Sequence, residues 1–97
     1  MDAAHIKKIV DSVSAERCTE LAVTLVNVPS LTGNEKPIAQ CVLKLFNDIG
    51  IDAYLQEFEP ERFNTIGRIQ GTGNGATLLL NGHMDISFSG TEAYLPK

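Results

Sequence analysis

Apolar residues recur every three or four positions through the first half of the chain, and after Gly50 they fall into short alternating or continuous runs. Across residues 2–12, Ile6, Ile9 and Val10, with Val13 just beyond, share the spacing of one helical face and predict a short amphipathic helix. Ser12 or Ser14 can cap a second helix by accepting its free N–H groups, with Glu16 favourably placed in the first turn. Leu21, Leu25 and Val28 line one face of that helix. Pro29 stops it, because proline has no N–H and disfavours helical geometry at Val28. Residues 29–35, Pro-Ser-Leu-Thr-Gly-Asn-Glu, form a loop by composition. A third helix follows with Pro37 in its first turn, an apolar face of Ile38, Val42, Leu45 and Ile49 flanked by Ala39, Leu43 and Phe46, and Gly50 as its left-handed terminator.

Residues 51–58 and 63–70 read as two strands. Residues 77–80, Thr-Leu-Leu-Leu, make a continuous apolar run of the kind found in a strand covered on both faces. Periodicity alone leaves a buried helix open there, and the flanking Gly75 and Gly82 favour strand. The predicted order is three helices and then three strands, which is an α/β class. Residues 86–97 have no clear period.

Composition narrows the functions. Hydrophobic residues make up 43% of the 97 positions, enough to form a core in one small domain. The net charge of −4, with Lys and Arg scattered, disfavours nucleic acid and anionic membrane as partners. No apolar run approaches the roughly 20 residues of a spanning helix. The first eight residues lack the apolar core of a signal peptide, so a cytoplasmic location is expected. Cys18 and Cys41 both fall in helical patterns and are read as reduced, partly buried thiols.

The candidate chemistry lies in residues 78–85, Leu-Leu-Leu-Asn-Gly-His-Met-Asp. An apolar strand runs into glycine and then presents His83 and Asp85 two positions apart, on one side if the backbone stays extended. Side chains at the carboxyl ends of strands in α/β sheets face the ligand crevice. A neutral imidazole there is a good zinc ligand, and a nearby carboxylate can fix its tautomer. Gly82 would allow a tight turn or a close approach. On these three positions alone, a surface hydrogen bond between His83 and Asp85, without metal, is the favoured reading.

The whole stretch resembles the di-zinc metallopeptidase and deacylase family, which includes acetylornithine deacetylase, succinyl-diaminopimelate desuccinylase, carboxypeptidase G and the aminoacylases. Family members show an apolar strand followed by Gly-His-x-Asp, matched by residues 78–85. About fifty residues upstream they carry a loop like Pro-Ser-x-Thr-Gly-Asn-Glu, matched by residues 29–35. A Gly-Ile turn at Gly50 and Ile51, and Asn64 in a strand, come in the same order. The resemblance covers nearly all of residues 15–85. It implies a three-layer αβα fold with a mixed sheet, of which residues 1–97 would be the incomplete N-terminal portion of the zinc-binding catalytic domain. It further implies that His83 ligates one of two zinc ions, for which cobalt or manganese could substitute, and that Asp85, the catalytic residue, orients that imidazole. The activity implied is hydrolysis of amide bonds in small peptides or N-acyl amino acids by a metal-activated water, in an enzyme that forms a homodimer when complete.

The family's bridging Asp, Glu-Glu pair, further acid and late His have no counterpart here. Glu92 comes too early for those roles, and residues 86–90, Ile-Ser-Phe-Ser-Gly, depart from the usual Thr-Val-Pro or Val-Val-Pro. A chain with one ligand is expected to be inactive by itself, since catalytic zinc takes about three protein ligands plus water. The rival reading is a non-catalytic α/β module that binds a partner. A shortened chain, whose uncovered apolar faces would favour self-association, is a third.

Other features read as structural. The glycine-rich residues 71–75 precede a predicted strand instead of opening a helix, so they form a hairpin and not a phosphate loop. The acids at Glu57, Glu59 and Glu61 belong to a solvated connection. Ser30 and Thr32 organise their loop and cap the following helix, where Glu35 suits the dipole. Tyr54, Phe58 and Phe63 are expected in sheet packing, and His5 on a solvated helix face.

Overall fold

A computed structural model describes residues 2–87. The departure from the family at Phe88, Ser89 and Gly90, and the early Glu92, lie outside the described residues. Helix α1 spans Ala3–Asp11 and is capped by Asp2, whose carboxylate accepts from the His5 N–H at 2.9 Å and contacts its Nδ1 at 3.0 Å. Helix α2 spans Ala15–Val26. Of the two candidate caps it uses Ser14, whose hydroxyl accepts from the Arg17 N–H. Helix α3 spans Lys36–Asp48 with Pro37 in its first turn, and Gly50 beyond its end sits at φ 82°, where a Cβ would be strained.

Strands β1 (Asp52–Glu59) and β2 (Arg62–Arg68) form an antiparallel hairpin in which Ala53 faces Gly67, Leu55 faces Thr65 and Gln56 faces Asn64. The register shifts between Glu57 and Glu59, and Glu61 takes φ 63° in the connecting turn. The acids of that turn are paired: Glu59 accepts from Arg62, and Glu61 accepts from Lys36 at 2.8 Å.

Helix α3 packs on the hairpin. Its buried residues, Ile38 and Ala39, are the only buried apolar residues among the described residues. The hydroxyl of Thr65 donates to the Ala39 carbonyl at 2.8 Å, fastening β2 to the helix. Gly67 marks the closest approach. A Cβ there would lie 2.9 Å from two ring carbons of Phe46 and 3.0 Å from Ile51 Cγ2. Gly67→Ala is therefore expected to cost about 1–2 kcal/mol, the overpacking penalty less what alanine gains by restricting the unfolded chain. Chemical denaturation measures it, and an unchanged midpoint would show that the Phe46 ring simply moves aside.

The predicted third strand is not formed among the described residues. Residues 77–80 have no ladder partner, and Leu78, Leu79 and Leu80 are each more than 80% exposed. A strand needs neighbours for its N–H and C=O groups, and a strand covered on both faces needs a layer on each side. The described residues supply one helix on a two-stranded hairpin, which is a small α/β unit. The sheet is antiparallel, and the one parallel contact described is an isolated bridge between Leu31 and Ile86.

The glycine-rich residues 71–75 accordingly form an irregular, bent connection with Gly73 at φ 89°, not a hairpin between strands. Two aromatic expectations also change: Tyr54 and Phe58 are exposed, and only Phe63 is half-buried. The apolar face of α1 is uncovered among the described residues, with Ile6, Ile9 and Val10 exposed. Both cysteines are free. Cys41 is half-buried, but Cys18 is exposed. No helix among the described residues is long and apolar enough to cross a membrane.

Candidate metal centre

The end of the extended segment is held against the 29–35 loop by two backbone hydrogen bonds, from the Thr32 N–H to the Ile86 carbonyl and from the Ile86 N–H to the Ser30 carbonyl, each 2.9 Å. This docking places Asp85 beside Thr32, 53 positions away in sequence, whose hydroxyl donates to Asp85 Oδ2 at 2.6 Å. The other carboxylate oxygen, Oδ1, lies 3.1 Å from His83 Nδ1, and the Asp85 carbonyl lies 3.0 Å from the same nitrogen. Both oxygens can only accept, so the proton sits on Nδ1 and the lone pair on Nε2. The His83 side chain is 86% exposed, and Nε2 has no hydrogen-bond partner among the described residues. The two residues thus project together as the extended backbone predicts.

The Thr32 hydroxyl, and after it the His83 ring, hold the Asp85 carboxyl below the usual aspartate range. At neutral pH the pair therefore offers an ionised acid behind a directed imidazole. Gly82 has no steric reason to be glycine in this arrangement. A Cβ at that position meets nothing within 4 Å, and the close approach expected there is not seen among the described residues.

Sequence reasoning missed the support beneath the site. Glu35 is 4% exposed and does not cap α3 with its side chain. Its carboxylate instead accepts from Arg62 Nε at 3.1 and 3.0 Å and from Arg62 Nη2 at 2.8 Å, and also from the Gly33 N–H. Arg62 holds the Glu35 carboxyl below the ordinary glutamate range, and the guanidinium is held correspondingly above its own. Arg62 also donates to Glu59 at 3.1 Å and lies 5.0 Å from the centre of the Phe58 ring. Thr32 does not cap α3, because the turn at Gly33 (φ 97°) separates it from the helix start and leaves Glu35 as the first residue of the cap.

A shallow depression of about 190 Å³ is lined by Glu35, Phe58, Arg62, Asn64, His83 and Asp85 among others. Asn64, the strand residue matched in the resemblance, therefore opens on the same recess as the His83–Asp85 pair. Half-buried Met84 separates this recess from a larger apolar groove of about 510 Å³ between Leu25, Val28, Ile38, Val42 and Ile86.

An imidazole whose Nδ1–H is held by a carboxylate, with Nε2 exposed, is the donor arrangement of a zinc-binding histidine. Among the described residues no group of three or more His, Cys, Asp or Glu side chains could hold an ion together. His83 and Asp85 thus fit one ligand and its orienting acid, short of the three protein ligands that catalytic zinc takes.

Fold and site together define a small α/β chain that presents a directed histidine–carboxylate pair at its surface. Over 75 residues this chain is 35% identical to a protein of Pyrococcus furiosus named as a LysW-lysine/LysW-ornithine hydrolase, a match covering 75% of this chain and 21% of that protein. The chain thus spans about a fifth of the length of that curated relative. No protein-family model matches the chain, and no solved structure matches it.

Proposed function

We propose that this chain is the N-terminal part of the zinc-binding domain of a metal-dependent hydrolase of the di-zinc metallopeptidase and deacylase family, acting on amide bonds of small peptides or N-acyl amino acids. One observation carries this reading: the His83 ring is held through Nδ1 by Asp85, which leaves an exposed Nε2 lone pair. The hydrolase name of the Pyrococcus furiosus relative points the same way. At the level of fold, the three exposed leucines at 78–80 and the uncovered face of the hairpin suit burial in a larger mixed sheet with helices on both sides. Fully burying each leucine would contribute roughly 1.5–3 kcal/mol.

His83 would supply one ligand, and Asp85 would keep the ring proton on Nδ1 so that Nε2 stays available. Zinc, when bound, supplies Lewis acidity toward the scissile carbonyl and a water nucleophile at neutral pH. The remaining ligands and the general base would come from chain beyond the described residues, and the 97 residues alone are expected to show no turnover.

The test is zinc dependence in the full-length protein. Hydrolysis of N-acyl amino acids is expected to cease with a chelator and return with zinc, and zinc is expected to shift the His83 ring resonances. A protein that hydrolyses such substrates unaffected by chelation, or whose His83 ring ignores zinc, refutes the reading.

A further inference from the structure

We propose that Thr32 is a positioning residue of the His83–Asp85 pair: its hydroxyl fixes the Asp85 carboxylate so that the remaining oxygen holds the imidazole with its proton on Nδ1. The inference deepens the zinc-ligand reading of His83 and rests on it only for its metal-binding consequence.

A carboxylate two residues from a histidine has two free torsions and no inherent reason to face the ring. Holding a side chain in a single rotamer costs conformational entropy, so a weak contact such as an exposed His–Asp bond is readily lost unless something else orients the acid. Here Asp85 is tied at both oxygens and in two directions, with Oδ2 to the Thr32 hydroxyl at 2.6 Å and Oδ1 to His83 Nδ1 at 3.1 Å. Both bonds end on the ionised carboxylate, and the one from Thr32 lies at the short distance of a charge-assisted O–H···O bond.

The hydroxyl is not needed to dock the segment. The Thr32 N–H and the Ile86 N–H already join the loop to residue 86 through the backbone, each at 2.9 Å, and neither bond involves a side chain. The Thr32 hydroxyl has one proton. The Ile86 carbonyl lies 3.2 Å from it, against 2.6 Å for Asp85 Oδ2, so the proton is committed to the acid. Backbone pairing therefore sets where Asp85 stands, and the Thr32 hydroxyl sets which way its carboxylate faces. The division of labour also explains why a loop residue far upstream bears on the ring. Which imidazole nitrogen carries the proton is decided by what the ring nitrogens meet, and of the two acceptors at Nδ1, the Asp85 carbonyl and Asp85 Oδ1, Thr32 holds the second, the charged one.

The chain has two histidines, so replacing His5 by glutamine leaves His83 as the only imidazole. In that background, ring ¹⁵N shifts read at about pH 8.5, without metal, report the tautomer directly. The Nδ1–H form is expected to dominate with Thr32. Thr32→Val and Thr32→Ala, which remove the hydroxyl, should move the ring part of the way toward the Nε2–H form, because the Asp85 carbonyl stays within reach of Nδ1. Thr32→Ser, which keeps the hydroxyl, should restore the original pattern. Zinc affinity of the full-length protein should fall about three- to tenfold in Thr32→Val and recover in Thr32→Ser, a smaller loss than for the acid itself because Thr32 acts one bond further from the ring. Valine and alanine variants with the wild-type tautomer overturn the inference, as does a serine variant that behaves like valine. If His83→Ala leaves zinc binding unchanged, the zinc reading fails while the tautomer measurement still decides the role of Thr32.

Discussion

Glu35→Ala is expected to lower the stability of the fold by about 1–3 kcal/mol, the loss of charge-assisted hydrogen bonds in a part-buried ion pair. Its carboxylate is nearly inaccessible, and every described partner is specific: three N–H contacts from Arg62 and the Gly33 amide. Removing Glu35 leaves Arg62 with Glu59, at 3.1 Å, and solvent as its remaining partners, so the cost stays below that of an ion left alone in the interior. The Arg62 side chain keeps about a quarter of its surface in water, so the loss falls toward the lower part of that range. Because Glu35 joins the 29–35 loop to β2, its loss should also release the loop that holds Asp85. Urea denaturation gives the stability, and amide exchange at Gly33 and Thr32 gives the loop. A variant as stable as the parent, with equal protection at those amides, would show that the bridge is a surface feature without mechanical consequence.

The same bridge makes a pH dependence whose sign follows from linkage. The folded-state carboxyl of Glu35 is held below its ordinary value by Arg62. Stability from it is then complete above the unfolded glutamate value, about 4.3, and is lost as the pH falls through the lower folded value. Asp85 and Asp2 are displaced in the same direction, by Thr32 and by His5 respectively, and add to the same acid limb. Stability should therefore be level between about pH 7 and 5.5 and fall below about pH 4.5. Glu35→Gln should flatten that fall in part, since the two aspartates still titrate. This follows from the same ion pair and is read in the same denaturation series.

The helices and the hairpin were legible in the sequence because their signals are local. Ser14, Pro29, Pro37 and Gly50 act on the backbone within a turn of where they stand, and the observed bounds fall within two or three residues of the predicted ones. Residues 77–80 misled for a physical reason. Their composition records the environment a strand would occupy, and the layers that would supply it are not among the described residues. At the site, the facing of His83 and Asp85 was readable from a two-residue spacing. The contacts Thr32–Asp85 and Glu35–Arg62 span 53 and 27 positions, and nothing local distinguishes those polar residues from solvated ones. Glu35 looked like a helix-dipole acid because that role needs only proximity to α3, whereas its actual partner comes from β2.

If His83 is the zinc ligand proposed above, the zinc affinity of the full-length protein should fall in the order that the bonding chain dictates, with His83→Ala first, Asp85→Asn second and Thr32→Val last. Alanine at 83 removes the only described imidazole at the site, and a loss of at least about a hundredfold is expected for a ligand deletion. Asparagine at 85 is the more instructive change, because its side chain has one accepting oxygen and one donating amide where the carboxylate has two acceptors. If the oxygen keeps the Thr32 hydroxyl, the amide faces Nδ1 and can only donate to it. The ring proton is then driven to Nε2, the nitrogen that must carry the lone pair. If the oxygen turns to Nδ1 instead, the tautomer survives, but the negative charge that raises the basicity of the ring is gone and the Thr32 hydroxyl must accept from the amide. Either orientation weakens the ligand, and a ten- to hundredfold loss is expected, as for other acids that orient a metal-binding histidine. Competition against a chromogenic chelator at neutral pH measures all three variants on one scale. An Asp85→Asn protein that binds zinc as the parent does would mean that the acid neither aims nor charges the ring, and the pair at 83 and 85 would then be no more than two neighbouring polar side chains.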